Sequence, residues 1–413
     1  MKKRRYLLSI FAILCFSNAF SQQDFAINLP HKFKNSDLEL TPQDSARQKD
    51  LIDIFQKIID KKASPDKRRL PRKANFSIIP YAGYTLSSGF TADITGNVGF
   101  FTSKAHDENY SVITADVGYD TKRQRTFLSR SEIWTSGNKY KLVSDFRFER
   151  YPTDSYGLGT FTTFAADEEV TFNYVRIYQT VLRHIANDYY AGVGYNLDYH
   201  YDITATGNPD NTVSDFMKYG QTTQSTSAGV SVNFLFDNRK NSLNPKNGTY
   251  ISVIYRQNLG IFGSDANWRE TQVDVRKYFL MKPHSNNVLA FWGIAAFTSG
   301  SVPYLDLPAT GLDMYNNMGR GYALGRFRGK SMLYLESEYR FGITRNGLLG
   351  GVVFANGQSF TEFQTNTFQR VAPAAGTGIR VKFNKHSDTN ICIDYGVGTG
   401  GSHGFFVNLG EVF

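Results

Sequence analysis

Residues 319–341 read Gly319-Arg320-Gly321-Tyr322-Ala323-Leu324-Gly325-Arg326-Phe327-Arg328-Gly329-Lys330-Ser331-Met332-Leu333-Tyr334-Leu335-Glu336-Ser337-Glu338-Tyr339-Arg340-Phe341. A glycine-rich loop carrying arginine runs into a strand with strict two-residue periodicity. Leu333, Leu335, Ser337, Tyr339 and Phe341 fall on one face, and Tyr334, Glu336, Glu338 and Arg340 on the other. A soluble sheet buries its apolar face and wets its polar one. The setting predicts the reverse here, with apolar residues facing lipid and charged residues facing a watery lumen.

The amino end reads as a secretory signal, and so sets that strand in an exported chain. Lys2-Lys3-Arg4-Arg5 precedes an apolar run from Tyr6 to Phe16, and Ala19-Phe20-Ser21 is a small-x-small cleavage site before Gln22. The apolar run is too short for a membrane anchor. Leu14 before Cys15 is bulkier than lipidation signals accept, so cleavage near Ser21 is expected.

The formal net charge of +9 does not indicate nucleic acid. Four positive charges leave with the signal, and residues 61–73 hold seven basic residues against Asp66, which leaves the rest of the chain at about −1. Cys392 is the one cysteine of the expected mature chain, so no internal disulfide is available. No apolar run of membrane-helix length follows the signal. Abundant aromatics (33 Phe and 25 Tyr) alternate through polar segments instead.

Three parts are expected: a signal peptide over 1–21, a periplasmic segment over 22–74, and a barrel over 75–413. In the second part, Thr41-Pro42 predicts a helix start, and Leu51, Ile54, Phe55, Ile58 and Ile59 form one apolar stripe. That helix packs on the barrel rim or in its mouth, or binds a partner. The basic run at 61–73 is a solvated linker or meets lipid phosphates. From Asn75 onward about 16 strands are predicted, near 75–85, 91–103, 110–119, 124–136, 139–150, 169–183, 187–200, 222–236, 248–258, 267–281, 287–298, 329–342, 347–357, 370–384, 388–397 and 403–413. The long connections 151–168, 201–221 and 299–328 follow odd-numbered strands, which puts them all outside the cell. The turn after the eighth strand falls on the periplasmic side. The fold class is therefore all-β: a transmembrane antiparallel β-barrel with a long inserted loop, after a short helical periplasmic segment.

Four stretches carry a family resemblance. Asp237-Asn-Arg239 through Pro245 to Gly248-Thr249-Tyr250 is a turn motif, and Arg320-Gly321-Tyr322 is an arginine-glycine-aromatic loop motif. Ser331 to Glu338 is the strand after that loop, and Gly404-Phe405-Phe406-Val407-Asn408-Leu409-Gly410-Glu411-Val412-Phe413 is a last strand. Together they resemble the barrel of the BamA/TamA outer-membrane family, the bacterial surface antigen proteins. The resemblance covers about 75–413, with Tyr151-Pro152 and Tyr156-Gly157-Leu158-Gly159 as the best match in the first half.

The resemblance implies that the loop folds back into the barrel and that Arg320 meets a wall carboxylate. Glu338 is the implied partner, and Glu336 and Asp394 share the polar face of their strands as fallbacks. The family's second acid on the following strand is absent, because that place reads Phe354-Ala355-Asn356-Gly357. The series Phe405, Val407, Leu409 and Phe413, broken by Glu411, resembles the signal by which the barrel assembly machinery recognises its substrates. Pro80 in the first strand cannot donate to a ladder, so a weak seam is expected where Pro80 and Gly410 mark the first and last strands.

The family's assembly members carry periplasmic domains before the barrel, whereas only 22–74 precede it here. The implied function is insertion or transport of protein or lipid at the outer membrane of a Gram-negative bacterium. Outer-membrane lipids are the implied partners, together with periplasmic or outer-membrane proteins, and no cofactor is called for. A passive pore or structural surface protein is the alternative. An enzyme is the weakest reading, because the seven histidines are scattered without triad or metal spacing.

Overall fold

The computed structural model describes residues 48–54, 74–85, 89–104, 108–164, 167–207, 213–283, 285–312, 317–385 and 387–413. The expected signal peptide and the basic run at 61–73 lie outside them, as do Thr41 and Pro42.

Sixteen strands follow one another: β1 Ala74–Thr85, β2 Gly89–Phe100, β3 Ser111–Asp120, β4 Arg125–Trp134, β5 Tyr140–Ser155, β6 Glu168–Ala186, β7 Tyr189–Ala205, β8 Gln224–Asp237, β9 Gly248–Asn258, β10 Trp268–Leu280, β11 Val288–Gly300, β12 Ser331–Gly342, β13 Leu349–Phe360, β14 Ala372–Asn384, β15 Thr389–Gly398 and β16 His403–Leu409. Each pairs antiparallel with the next in one sheet. The curled sheet brings β16 back beside β1, and among the described residues no ladder joins those two strands. This is a transmembrane β-barrel, and among the described residues no helix is long and apolar enough to cross a membrane.

Alternation sorts the side chains as the sequence predicts. Leu335 is 65% exposed on the outer face of β12, while Glu338, three residues on, is 1% exposed on the inner face. Residues two apart on a strand share a face, and the lumen wall uses this repeatedly. Arg147 reaches back to Asp145 at 2.8 Å, Arg239 to Asp237 at 2.9 Å, Arg276 to Asp274 at 2.6 Å and Arg340 to Glu338 at 2.5 Å.

The long connections 156–167, 206–223 and 301–330 all leave odd-numbered strands and emerge at one end. There Arg326 lies against the rings of Tyr156 and Phe164, at 4.9 and 4.5 Å from their centroids, which ties two of these loops together.

Three expectations need correction. First, much of the lumen is packed rather than watery. The 301–330 loop enters it, and Met318, Tyr322 and Phe327 join Tyr278, Trp292 and Phe360 in an apolar core inside the barrel.

Second, the last strand stops at Leu409. Gly410 adopts φ +99° and turns the chain inward, and its N–H donates to Asn390 O at 2.8 Å. Gly410 is therefore not a strand residue of a seam with Pro80. Phe413 does not continue the outward series either. It is 2% exposed and stacks near Trp292 (5.1 Å) and Tyr278 (6.1 Å) in the lumen, because burying an aromatic beside aromatics outweighs extending the strand.

Third, residues 48–50 are not helical, and the described helix runs over 51–54. Asp50 caps it by accepting from Asp53 N at 2.8 Å. The same Asp50 accepts from Lys385 N at 2.9 Å, and Lys385 Nζ lies 2.7 Å from Asp53. Lys49 N donates to Asn346 O at 3.0 Å. These contacts dock the segment against the β12–β13 and β14–β15 turns.

Candidate functional site: a loop held across the lumen

Arg320 sits at the inner end of the 301–330 loop and is fully buried. Flanking glycines at φ +84° (Gly319) and +110° (Gly321) make the tight turn that aims it at the wall. The wall makes room for this. A Cβ on the inward-facing Gly396 of β15 would lie 2.7 Å from Gly321 N, so the loop backbone rests where a side chain would otherwise stand.

The guanidinium meets three carboxylates. Its Nη1 donates to Asp394 Oδ2 at 2.5 Å, and Nη2 donates to Glu338 Oε2 at 2.6 Å and to Glu336. The Phe354 ring lies beneath it, 3.8 Å from the guanidinium carbon. Asn356, in place of the family's second acid, donates from Nδ2 to Arg320 O at 2.9 Å. Position 356 thus holds the loop's backbone rather than its charge, and Asp394 brings the further carboxylate.

Charge balance extends the site. Arg340 donates from Nε to Glu338, and Arg380 donates from Nη1 to Asp394 at 2.5 Å and from Nε to Glu411 at 2.7 Å. Three arginines thereby face four carboxylates, Glu411 included, and the Tyr334 hydroxyl donates to Glu336. Buried charges persist only when paired and hydrogen-bonded, and this network meets that condition at nearly every atom.

Arg340 is where the sequence motifs converge. Beyond Glu338, it donates to Pro245 O at 3.2 Å and to Phe413 O at 2.7 Å. Asp237 ends β8 and Gly248 opens β9, so they frame the β8–β9 turn. That turn also reaches inward, where Leu243 O accepts from Glu411 N at 2.7 Å. Asn317, beside the loop tip, donates to Val412 O at 2.8 Å. The loop motif, the turn motif and the chain's last residues therefore meet around one buried network. Phe405 and Val407 stay outside, 51% and 36% exposed.

Tyr322, the third residue of the loop motif, donates to Pro373 O at 2.7 Å and packs on Phe327 at 5.2 Å. Pro80 is exposed on β1, opposite Ile94 of β2. Sequence reading missed Arg340, Arg380 and Glu411 as members of this site. Arg340 and Arg380 had a signal in their strand parity, and Glu411 in its break of an apolar series. Among the described residues, no cluster has the makings of a metal site.

A sequence model of the Omp85 superfamily domain matches residues 108–411. The chain belongs to the Omp85 superfamily. It is an outer-membrane β-barrel of the BamA/TamA kind, and the family places it in a Gram-negative outer membrane. Solved structures agree on the fold. BamA from Haemophilus ducreyi, lacking POTRA domains 1–3, is 13% identical with a TM-score of 0.51, over 91% of this chain and 83% of that one. CdiB from Acinetobacter baumannii is 13% identical with a TM-score of 0.51, over 82% and 60% of the two chains. CdiB from Escherichia coli is 10% identical with a TM-score of 0.53, over 84% and 64%. The chain thus spans under two thirds of either CdiB chain. No curated protein gives a significant match.

Proposed function

We propose that this Omp85 barrel assists insertion or transport of protein or lipid at the outer membrane, and that the route runs through the seam between β1 and β16 rather than straight through the lumen. One observation carries the reading: Arg320, held by three buried carboxylates, fixes a loop across the lumen, while among the described residues no ladder joins the neighbouring strands β1 and β16. A passive pore needs an open axis. Here the space between the plug and the wall is a cavity of about 360 Å³ that the 301–330 loop and residues 408–413 help to line. Outer-membrane lipids and periplasmic or outer-membrane proteins are the proposed partners. Glu338, Glu336 and Asp394 are proposed to keep the loop seated while the seam opens.

The test uses proteoliposomes carrying the folded chain and a urea-unfolded outer-membrane barrel as client, with client folding followed by heat-modifiable gel mobility. Client folding faster than in empty liposomes is the expected result. No acceleration, together with steady solute conductance, would replace this reading with the passive-pore alternative.

A further inference from the structure

The outer face of the barrel carries a like-charge pair that has no counter-ion among the described residues. Arg125 at the start of β4 stands directly opposite Arg150 of β5, and Tyr119 of β3 stands opposite Arg125 on the other side. Both arginines are exposed. Directly opposed like charges on an antiparallel pair are about 5 Å apart at Cβ and destabilise the sheet. Among the described residues neither arginine has an ion pair or side-chain hydrogen bond.

The surrounding acids are engaged elsewhere. Asp154 pairs with Lys122 at 3.0 Å, and Asp202 accepts from Asn173 at 2.8 Å. Asp120 is buried and accepts from Gln124 N at 2.9 Å, and Glu149 lies on the lumen parity of β5 with Asp145 and Arg147. Arg123, exposed on the turn between β3 and β4, adds a third positive charge nearby.

The setting identifies the missing anion. The turn follows an odd-numbered strand, so it lies at the same end as the long extracellular loops. Two residues further into the membrane, Phe127 and Phe148 are opposed in the same ladder. They are 42% and 48% exposed, with ring centroids 6.1 Å apart. Val117, opposite Phe127, is 53% exposed. The arginines therefore sit where the apolar belt gives way to the headgroup layer of the outer leaflet.

We propose that Arg125 and Arg150, flanked by Tyr119 above the Phe127–Phe148 pair, bind the phosphate of an outer-leaflet glycolipid, whose acyl chains lie over the two rings. Two planar guanidiniums side by side suit a phosphate, and the rings below suit hydrocarbon. Loss of the repulsion between the arginines adds to the gain on binding. The site lies away from the β1–β16 seam and stands independently of the proposed function.

The full chain, folded in a neutral detergent, is titrated with a phosphorylated glucosamine-disaccharide glycolipid and read by native mass spectrometry. We expect a single-lipid adduct that weakens by at least about ten-fold in the Arg125→Ala/Arg150→Ala double variant, as loss of charge-assisted bonds implies. The same glycolipid without its phosphates should bind as poorly to the wild type. Unchanged heat-modifiable mobility certifies that the variant is folded, and Arg125→Lys/Arg150→Lys, which keeps the charges without the planar forks, should bind more tightly than the alanine variant and more weakly than wild type. Equal binding by the folded alanine variant, or equal binding of the phosphate-free lipid, overturns the proposal. Full displacement by inorganic phosphate at physiological salt also overturns it, because it marks a site for a free anion.

Discussion

A single arginine holds the inserted loop, and the residue scale is where its cost is visible. Three carboxylates surround Arg320 with no exposure to water. Removing one partner of a buried ion network leaves the others uncompensated, which costs about 3–5 kcal/mol. Arg320→Ala is therefore expected to lower the barrel's melting temperature, read as loss of heat-modifiable mobility. Adding Asp394→Asn should recover part of the loss, because the two sites share one network; a purely additive double variant would contradict the arrangement.

A second test concerns Asp388 in the β14–β15 turn. Burial pushes its carboxyl up, but Lys246 at 3.0 Å and Lys382 outweigh burial and hold it below the usual carboxylate range. A lowered folded-state value means stability that is present above the unfolded value of about 3.9 and lost as pH falls through the folded one. Asp388→Asn should thus be less stable than wild type at pH 7, and the gap should close in acid. Asparagine suits the test because Asp388 has φ +55°, a left-handed conformation that asparagine also accepts.

Sequence parity put Glu336, Glu338 and Asp394 on the lumen face, but it could not say how many of them one guanidinium would reach. That depends on how closely the loop approaches β15, which is set by the space at Gly396 rather than by any charged residue.

At the scale of elements, strands were legible wherever alternation was uninterrupted, and β9 begins and ends where its pattern does. The failures share one cause. The odd-numbered series through Phe405, Val407 and Leu409 runs on to Phe413, so period two alone extends the strand. The signs against it were Gly410, free to adopt positive φ, and Glu411, a charge out of place on a lipid face. Similarly, the apolar stripe through Leu51 hid Asp50 as the helix cap.

The inward tail leads to its own prediction. Phe413 packs 5.1 Å from Trp292, which is 1% exposed. Phe413→Ala should cost about 3–5 kcal/mol if the pocket does not collapse, and should shift Trp292 emission to the red as water enters. Trp134 and Trp268 are buried elsewhere in the barrel wall and should contribute a constant background. An outward Phe413 would leave the emission unchanged.

For the whole molecule, the issue is whether loop, turn and tail act as one plug. Arg340 contacts the carbonyls of Pro245 and Phe413 and the carboxylate of Glu338, while Asn317 ties the loop to Val412. Elements distant in sequence thus share one interior, and pushing one should loosen the others. The least intrusive push is steric. Gly396→Ala places a Cβ 2.7 Å from Gly321 N, against backbone that cannot swing aside as a side chain could, and it alters no charge. In planar bilayers the wild-type barrel should conduct weakly and Gly396→Ala more strongly, with frequent transitions between levels as the plug seats and unseats. Gly342→Ala is the matched control, since a Cβ there meets nothing within 4 Å. Equal conductance in all three proteins would mean that the loop's fit against β15 does not keep the lumen closed, and the closure would then have to be sought in the cap where Arg326 joins the outer loops.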